Sequence, residues 1–195
     1  DKVEMSNLCQ EITLPTKPIQ HIDDDSGEIA LCILSAINIG KIRDVSDLKS
    51  LCDLSVRSLD ELIDFQGYPV EAAEIATKAR RSLGIGYIGL AHYLAKQGVK
   101  YEDPKAWELV HDLTEAFQYH LIESTVNLAK EKGACEYSSR TKYGQGILPI
   151  DTYKKDVDEL VPNNLKYDWE TLRALVKEHG VRNSTLSAQM PSESS

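Results

Sequence analysis

The chain has 195 residues, 42% of them hydrophobic, enough to bury a core as one domain or as part of a larger one. A net charge of −9 argues against wrapping a nucleic-acid polymer, which needs a basic surface, but allows one diphosphate held by local donors. The chain lacks a long apolar run and a signal-peptide pattern, and its four cysteines have neither close pairing nor metal spacing, which points to a reducing, cytoplasmic setting without a membrane partner.

The first informative segment is Asn7-Leu8-Cys9-Gln10-Glu11. If it is extended, alternate side chains share a side, so Asn7, Cys9 and Glu11 face one volume while Leu8 and Gln10 face away. A thiol, a carboxylate and an amide converging there suit hydrogen-atom abstraction, proton removal and the holding of a polar substrate. The plainer alternative is a small buried cysteine in a polar loop.

After Pro15, Pro18 and the acidic turn at Asp23-Asp24-Asp25-Ser26-Gly27, the apolar run from Ile29 to Ile39 lacks the alternation of a half-exposed strand. It predicts a strand covered on both faces, as in parallel α/β sheets. Ser46 is placed to cap a helix through about Phe65, with Leu48, Leu51, Cys52, Ser55, Leu59, Leu62 and Ile63 inward. The Gly67-Tyr68-Pro69 turn precedes a second helix from Val70 to about Arg81.

Gly84-Ile85-Gly86-Tyr87-Ile88-Gly89 fits the G-x-G-x-x-G pattern of dinucleotide-binding folds. That fingerprint needs a strand before it, and Lys78-Ala79-Arg80-Arg81 makes a poor one; the glycines are read instead as permitting close backbone packing at a helix entrance. Asp103-Pro104 opens the longest helix, ending near Lys132 before Gly133, with Trp107, Val110, Leu113, Phe117, Leu121 and Leu128 on its apolar face. Asp168 starts a shorter helix that stops at Gly180, and Arg182 to Ala188 reads as another strand. Strands alternating with helices give an α/β architecture.

Among the remaining candidates, Cys32 lies inside the apolar run and is either core or redox-active. Cys52 falls on a helix stripe and Cys135 comes after a helix stop; both are assigned to packing. His21, His92, His111, His120 and His179 have no paired ligand spacing, so no metal is expected on this chain. Lys154-Lys155-Asp156 and the stretch from Glu170 to Glu178 read as solvated faces. Pro191-Ser192-Glu193-Ser194-Ser195 comes after the last predicted strand. It is either a polar tail or the start of a helix offering free N–H groups and hydroxyls to an anion, with Glu193 an awkward neighbour for phosphate.

Four stretches, in order, resemble the large catalytic subunit of class I ribonucleotide reductases: Asn7 to Glu11, Ala30-Leu31-Cys32-Ile33-Leu34-Ser35-Ala36, Gly146-Ile147-Leu148-Pro149-Ile150-Asp151-Thr152-Tyr153, and Arg182 to Ser195. The resemblance implies that residues 1–195 are a partial catalytic domain, roughly the second half of a ten-stranded α/β barrel with the Cys9 loop at its centre. It also implies the roles. Cys9 becomes the thiyl radical that takes the C3′ hydrogen of a ribonucleoside diphosphate; Glu11 takes the 3′-hydroxyl proton; Asn7 holds the ribose hydroxyls. Cys32 is one of two reducing cysteines, its partner lying upstream of Asp1. Residues Asn7 to Glu11 and Pro191 to Ser195 bind substrate, the latter at the diphosphate.

The resemblance further implies a separate small subunit carrying the metal-radical cofactor, thioredoxin or glutaredoxin as reductant, and the remaining parts of the large subunit as partners. Residue 1 is Asp rather than Met, which fits a processed, split-gene (phage-type) or incomplete chain. Two alternatives stay open: a non-catalytic assembly fragment, and another radical enzyme of the same barrel, such as a cobalamin-dependent reductase.

Overall fold

A computed structural model describes residues 2–4, 6–7, 9–162 and 164–192. Its centre is a pair of parallel strands, β1 (Ile33–Asn38) and β2 (Leu83–Ile88), in register from Ile33 opposite Leu83 to Asn38 opposite Ile88. Parallel neighbours need a long crossover. Here it is made by α1 (Asp47–Phe65) and α2 (Glu71–Arg80). After β2 come α3 (Leu90–Lys96), α4 (Pro104–Lys132), the short α5 (Pro149–Thr152) and α6 (Trp169–His179).

The main core joins the sheet to α1, α4 and α6. Leu48, Cys52, Val56 and Ile63 of α1 meet Leu113, Phe117, Leu121 and Leu128 of α4, over Leu83 and Ile85 of β2. Cys52 and Cys135 are buried, as assigned. The α1 stripe is rotated from the expected one: Leu62 is exposed, while Val56 and the charged Asp60 point inward. Capping also differs by site. Asp168 accepts the Thr171 N–H at 2.9 Å, whereas Ser46 and Asp103 stand at the expected helix entrances without capping through their side chains.

Two strand expectations need correction. The apolar run yields a strand only from Ile33 to Asn38, and Leu34 is 45% exposed, so the strand is not covered on both faces. The stretch from Arg182 to Ala188 runs beside β2 but forms a single parallel bridge, Ile85 to Ser187. The reason is register. Leu83 and Ile85, two residues apart, donate to the Thr185 and Leu186 carbonyls, only one residue apart, so a regular ladder cannot continue.

Residues 84–88 of the glycine-rich hexapeptide lie in β2, a strand that the poor β propensity of the glycines concealed. Close packing is nevertheless what the glycines allow: a Cβ on Gly84 would lie 2.8 Å from the Cys32 Sγ, and one on Gly86 2.5 Å from the Ala188 carbonyl oxygen. Gly89, at φ +82°, turns the chain from β2 into α3.

Candidate active site

The segment from Asn7 to Glu11 is not extended. Gln10 adopts φ +58°, and its N–H donates to the Asn7 carbonyl at 3.2 Å, closing a tight turn. Strict alternation is therefore lost. Asn7 and Glu11 still line one cavity of about 680 Å³, together with Cys32, but Cys9 is exposed and is not among its lining residues. Asn7 Oδ1 accepts the Ile12 N–H at 3.4 Å, which pins the end of the turn. Leu8 lies outside the described residues.

The residues just after the turn bring it against Cys32. Ile12 and Leu14 are buried against Ala188, with Ala30 and Cys32 packed alongside. Lys17 and Glu28 exchange backbone hydrogen bonds at 3.0 and 2.9 Å, so the turn and the approach to β1 are fastened together. The Arg80 guanidinium reaches Glu28 at 2.8 Å from α2, while the Ile29 N–H donates to Ala72. Sequence positions 7, 9–14, 28–32 and 188 thereby become neighbours.

Chemically, the cavity pairs a carboxylate with a neutral thiol. Glu11 Oε2 is buried without a hydrogen-bond partner, a costly state that a donor on a bound molecule would relieve. Burial, with the nearby Glu11 charge adding to it, pushes the Cys32 thiol up to about 12, so it holds its proton at neutral pH. Asn7, on the same wall, adds an amide able to donate and accept. At the far end of the chain, Pro191 is exposed and Ser192 half-buried; Glu193, Ser194 and Ser195 lie outside the described residues.

Several contributors were not anticipated. Asp60 is fully buried and accepts from Arg81 Nε at 2.7 Å, Asn183 Nδ2 at 2.9 Å and Arg182 Nε at 3.2 Å. Arg81 also forks onto Asp64 at 2.9 and 2.8 Å, from a left-handed backbone at φ +50°. The available signal was an acid on an apolar stripe, four residues after Val56, which calls for a buried cation. In the stretch from Gly146 to Tyr153, Leu148 is buried and the Asp151 carboxylate binds both the Leu148 N–H at 2.7 Å and Arg173 at 2.6 Å, a structural anchor remote from the cavity lining.

A second, more apolar cavity of about 570 Å³ lies between α4 and the chain around α5, lined by Trp107, Val110, Ile150 and Leu165 among others. It contains none of the residues singled out for chemistry. Among the described residues, no helix is long and apolar enough to cross a membrane, and no group of three or more His, Cys, Asp or Glu is placed to hold a metal ion.

Residues 1–195 match the family model described as ribonucleotide reductase, barrel domain. Over 193 residues the chain is 61% identical to the ribonucleoside-diphosphate reductase subunit alpha of Haemophilus influenzae, covering 99% of this chain and 26% of that protein. It is 54% identical to the ribonucleoside-diphosphate reductase 1 subunit alpha of Escherichia coli and 46% identical to the subunit alpha of Enterobacteria phage T4, covering 99% of this chain and 25% of each relative. The chain thus spans about a quarter of the length of these curated relatives. The mixed α/β architecture, with its small parallel sheet, is consistent with part of that barrel. With the match running from the first residue to the last, the chain belongs to the ribonucleotide reductase large-subunit family and lies within its barrel domain.

Proposed function

We propose that this chain forms part of a catalytic barrel domain that reduces ribonucleoside diphosphates to 2′-deoxyribonucleoside diphosphates by thiyl-radical chemistry, within a larger assembly. The observation that carries the reading is the meeting of Asn7, the unpartnered Glu11 carboxylate oxygen and the protonated Cys32 thiol on one cavity, from sequence positions 25 residues apart at the extremes.

Each group has a task its chemistry suits. A thiyl radical on Cys9 takes the hydrogen from C3′; Glu11 accepts the 3′-hydroxyl proton, the 2′-hydroxyl takes a proton from the reducing thiol pair and leaves as water, and at the end of the cycle Cys9 returns the hydrogen to C3′ and is again a thiyl radical. Two electrons then come from Cys32 and an upstream cysteine, which join as a disulfide. A thiol that holds its proton suits Cys32, because reduction consumes hydrogen as well as electrons. Asn7 fixes the ribose hydroxyls, where small errors of placement are costly. Cys9 reaches the sugar from the turn that carries Asn7 and Glu11. The stretch from Pro191 to Ser195 holds the diphosphate through the backbone N–H groups that follow Pro191 and through the serine hydroxyls.

The metal-radical cofactor belongs to a separate small subunit, with thioredoxin or glutaredoxin restoring the thiols and the rest of the large subunit completing the barrel. The test is made in the complete large subunit with its small subunit. Cys9→Ser abolishes turnover and leaves nucleotide binding nearly intact, because an O–H bond is too strong to serve the radical cycle. Cys32→Ser permits the first radical step and fails at reduction. Normal turnover by either variant with the physiological reductant removes the role given to that cysteine.

A further inference from the structure

The segment from Arg182 to Ser192 lacks the regular ladder of a strand and is tied to β2 by three irregularly spaced backbone hydrogen bonds. Residues of α4 add a second hold on its register. Thr125, fully buried, donates from Oγ1 to Asn183 Oδ1 at 2.9 Å and accepts the Asn183 N–H at 2.9 Å; its carbonyl accepts the Arg182 N–H at 3.3 Å. Two turns earlier on the same face, Gln118 Nε2 donates to Ser187 Oγ at 2.9 Å. Behind Asn183, its amide also donates to Asp60 at 2.9 Å and to the Arg81 carbonyl at 3.1 Å, so every polar group of that buried side chain is engaged. The four residues from Ala188 to Pro191 then lead to Ser192 with two further ties to β2: the Ala188 N–H donates to the Ile85 carbonyl at 3.2 Å, and the Gln189 Oε1 accepts the Tyr87 N–H at 3.2 Å.

We propose that Thr125 and Gln118 are positioning residues for diphosphate recognition: through Asn183 and Ser187 they set the register of the 182–192 segment against β2, and so the place where Pro191 and Ser192 meet the substrate. The inference rests on the reading of that terminal segment as the diphosphate site. Neither residue touches the cavity that holds Glu11 and Cys32. Loss of either hold leaves the chemistry in place and shifts the binding end of the segment.

The experiment compares Thr125→Val, Thr125→Ser and Gln118→Met in the complete large subunit with its small subunit, measuring KM and kcat for a ribonucleoside diphosphate. Valine keeps the shape of Thr125 and removes both side-chain hydrogen bonds; serine keeps the hydroxyl. Thr125→Val and Gln118→Met each raise KM by about three- to tenfold, the effect of one misplaced hydrogen bond, with kcat within about twofold; Thr125→Ser restores the parent KM. A fall in melting temperature with KM unchanged overturns the proposal, as does an equal effect of serine and valine. Because Gln118 is only half-buried, its variant folds even if valine at position 125 is not tolerated. Replacing Ser192, Ser194 and Ser195 together with Ala tests the underlying reading separately. If that variant raises KM and the α4 variants do not, the positioning role fails and the diphosphate site stands; if it leaves KM unchanged, the site fails and the positioning role with it.

Discussion

Cys32 illustrates how one side chain takes its properties from neighbours far away in the chain. Its thiol is pushed up to about 12 by burial first and by the Glu11 carboxylate second. Relative to an ordinary thiol near 9, the thiolate fraction at pH 8 is lowered about a thousandfold. Iodoacetamide should therefore label Cys32 in the folded protein about a thousandfold more slowly than after unfolding, a gap that closes as pH approaches 12. Equal rates at pH 8, read by peptide mass spectrometry, would remove the neutral-thiol argument. The linkage has a definite sign. A pKa raised on folding contributes stability that is complete below about pH 9 and lost between about 9 and 12. Cys52, raised to about 12, acts in the same window and direction, and Cys135, raised to about 11, acts in the same direction between about 9 and 11.

Gly84 is the residue on which Cys32 depends for space. A Cβ there would stand 2.5 Å from Leu34 Cδ2 and 2.8 Å from Cys32 Sγ. Leu34 is partly exposed and can swing away; the cysteine, with one side-chain torsion, has less freedom. Gly84→Ala should cost about 1–3 kcal/mol and, if Cys32 has the reducing role proposed for it, slow reduction in the complete large subunit by displacing the sulfur. Thermal melts together with single-turnover reduction measure the two effects, and an unchanged reduction rate would show that the position of Cys32 tolerates the shift.

At the scale of elements, the fold is locked where α1, α2 and the 182–183 segment meet. Asp60 has no exposure, and its three partners come from Arg81, Arg182 and Asn183. Breaking such a site leaves a buried cation short of its counter-charge. Asp60→Ala should cost about 3–5 kcal/mol, towards the lower figure because Asp64 remains on Arg81. By contrast, loss of the exposed pair between Lys105 and Glu108 should cost under about 1 kcal/mol. Urea denaturation of the two variants checks the difference; similar midpoints would show that the buried network is not a lock.

For the whole molecule, the sheet is the weak point. β1 pairs only with β2 among the described residues, and Leu31, just before β1, and Leu34, within it, are exposed. Phe65, at the end of α1, is 88% exposed. Open strand edges and apolar surface drive association. The purified 195-residue chain should therefore self-associate in sedimentation velocity and reduce no nucleotide, gaining solubility when the flanking polypeptide is supplied. Robust turnover by the chain alone would overturn both the partial-barrel reading and the roles assigned within it.

Local signals in the sequence were enough for the helices. Proline at the first turn and glycine past the last bound α4 at Pro104 and Lys132, and α6 begins on the Asp168 cap and ends before Gly180, because capping and proline geometry act within a few residues. The order of the four motifs likewise placed the chain in its family without coordinates. What only the tertiary structure decided are the features that depend on contacts between distant positions. β2 is a strand because β1 pairs with it and because its glycines admit Cys32 and Ala188, not because of its own propensity. The Asn7 to Glu11 segment turns at Gln10 rather than extending, since Ile12 and Leu14 bury themselves against Ala188 and draw the chain inward. Asp60 and Arg81 could be matched only in space, because the low-dielectric environment that makes their pairing obligatory exists only once the core around them has formed.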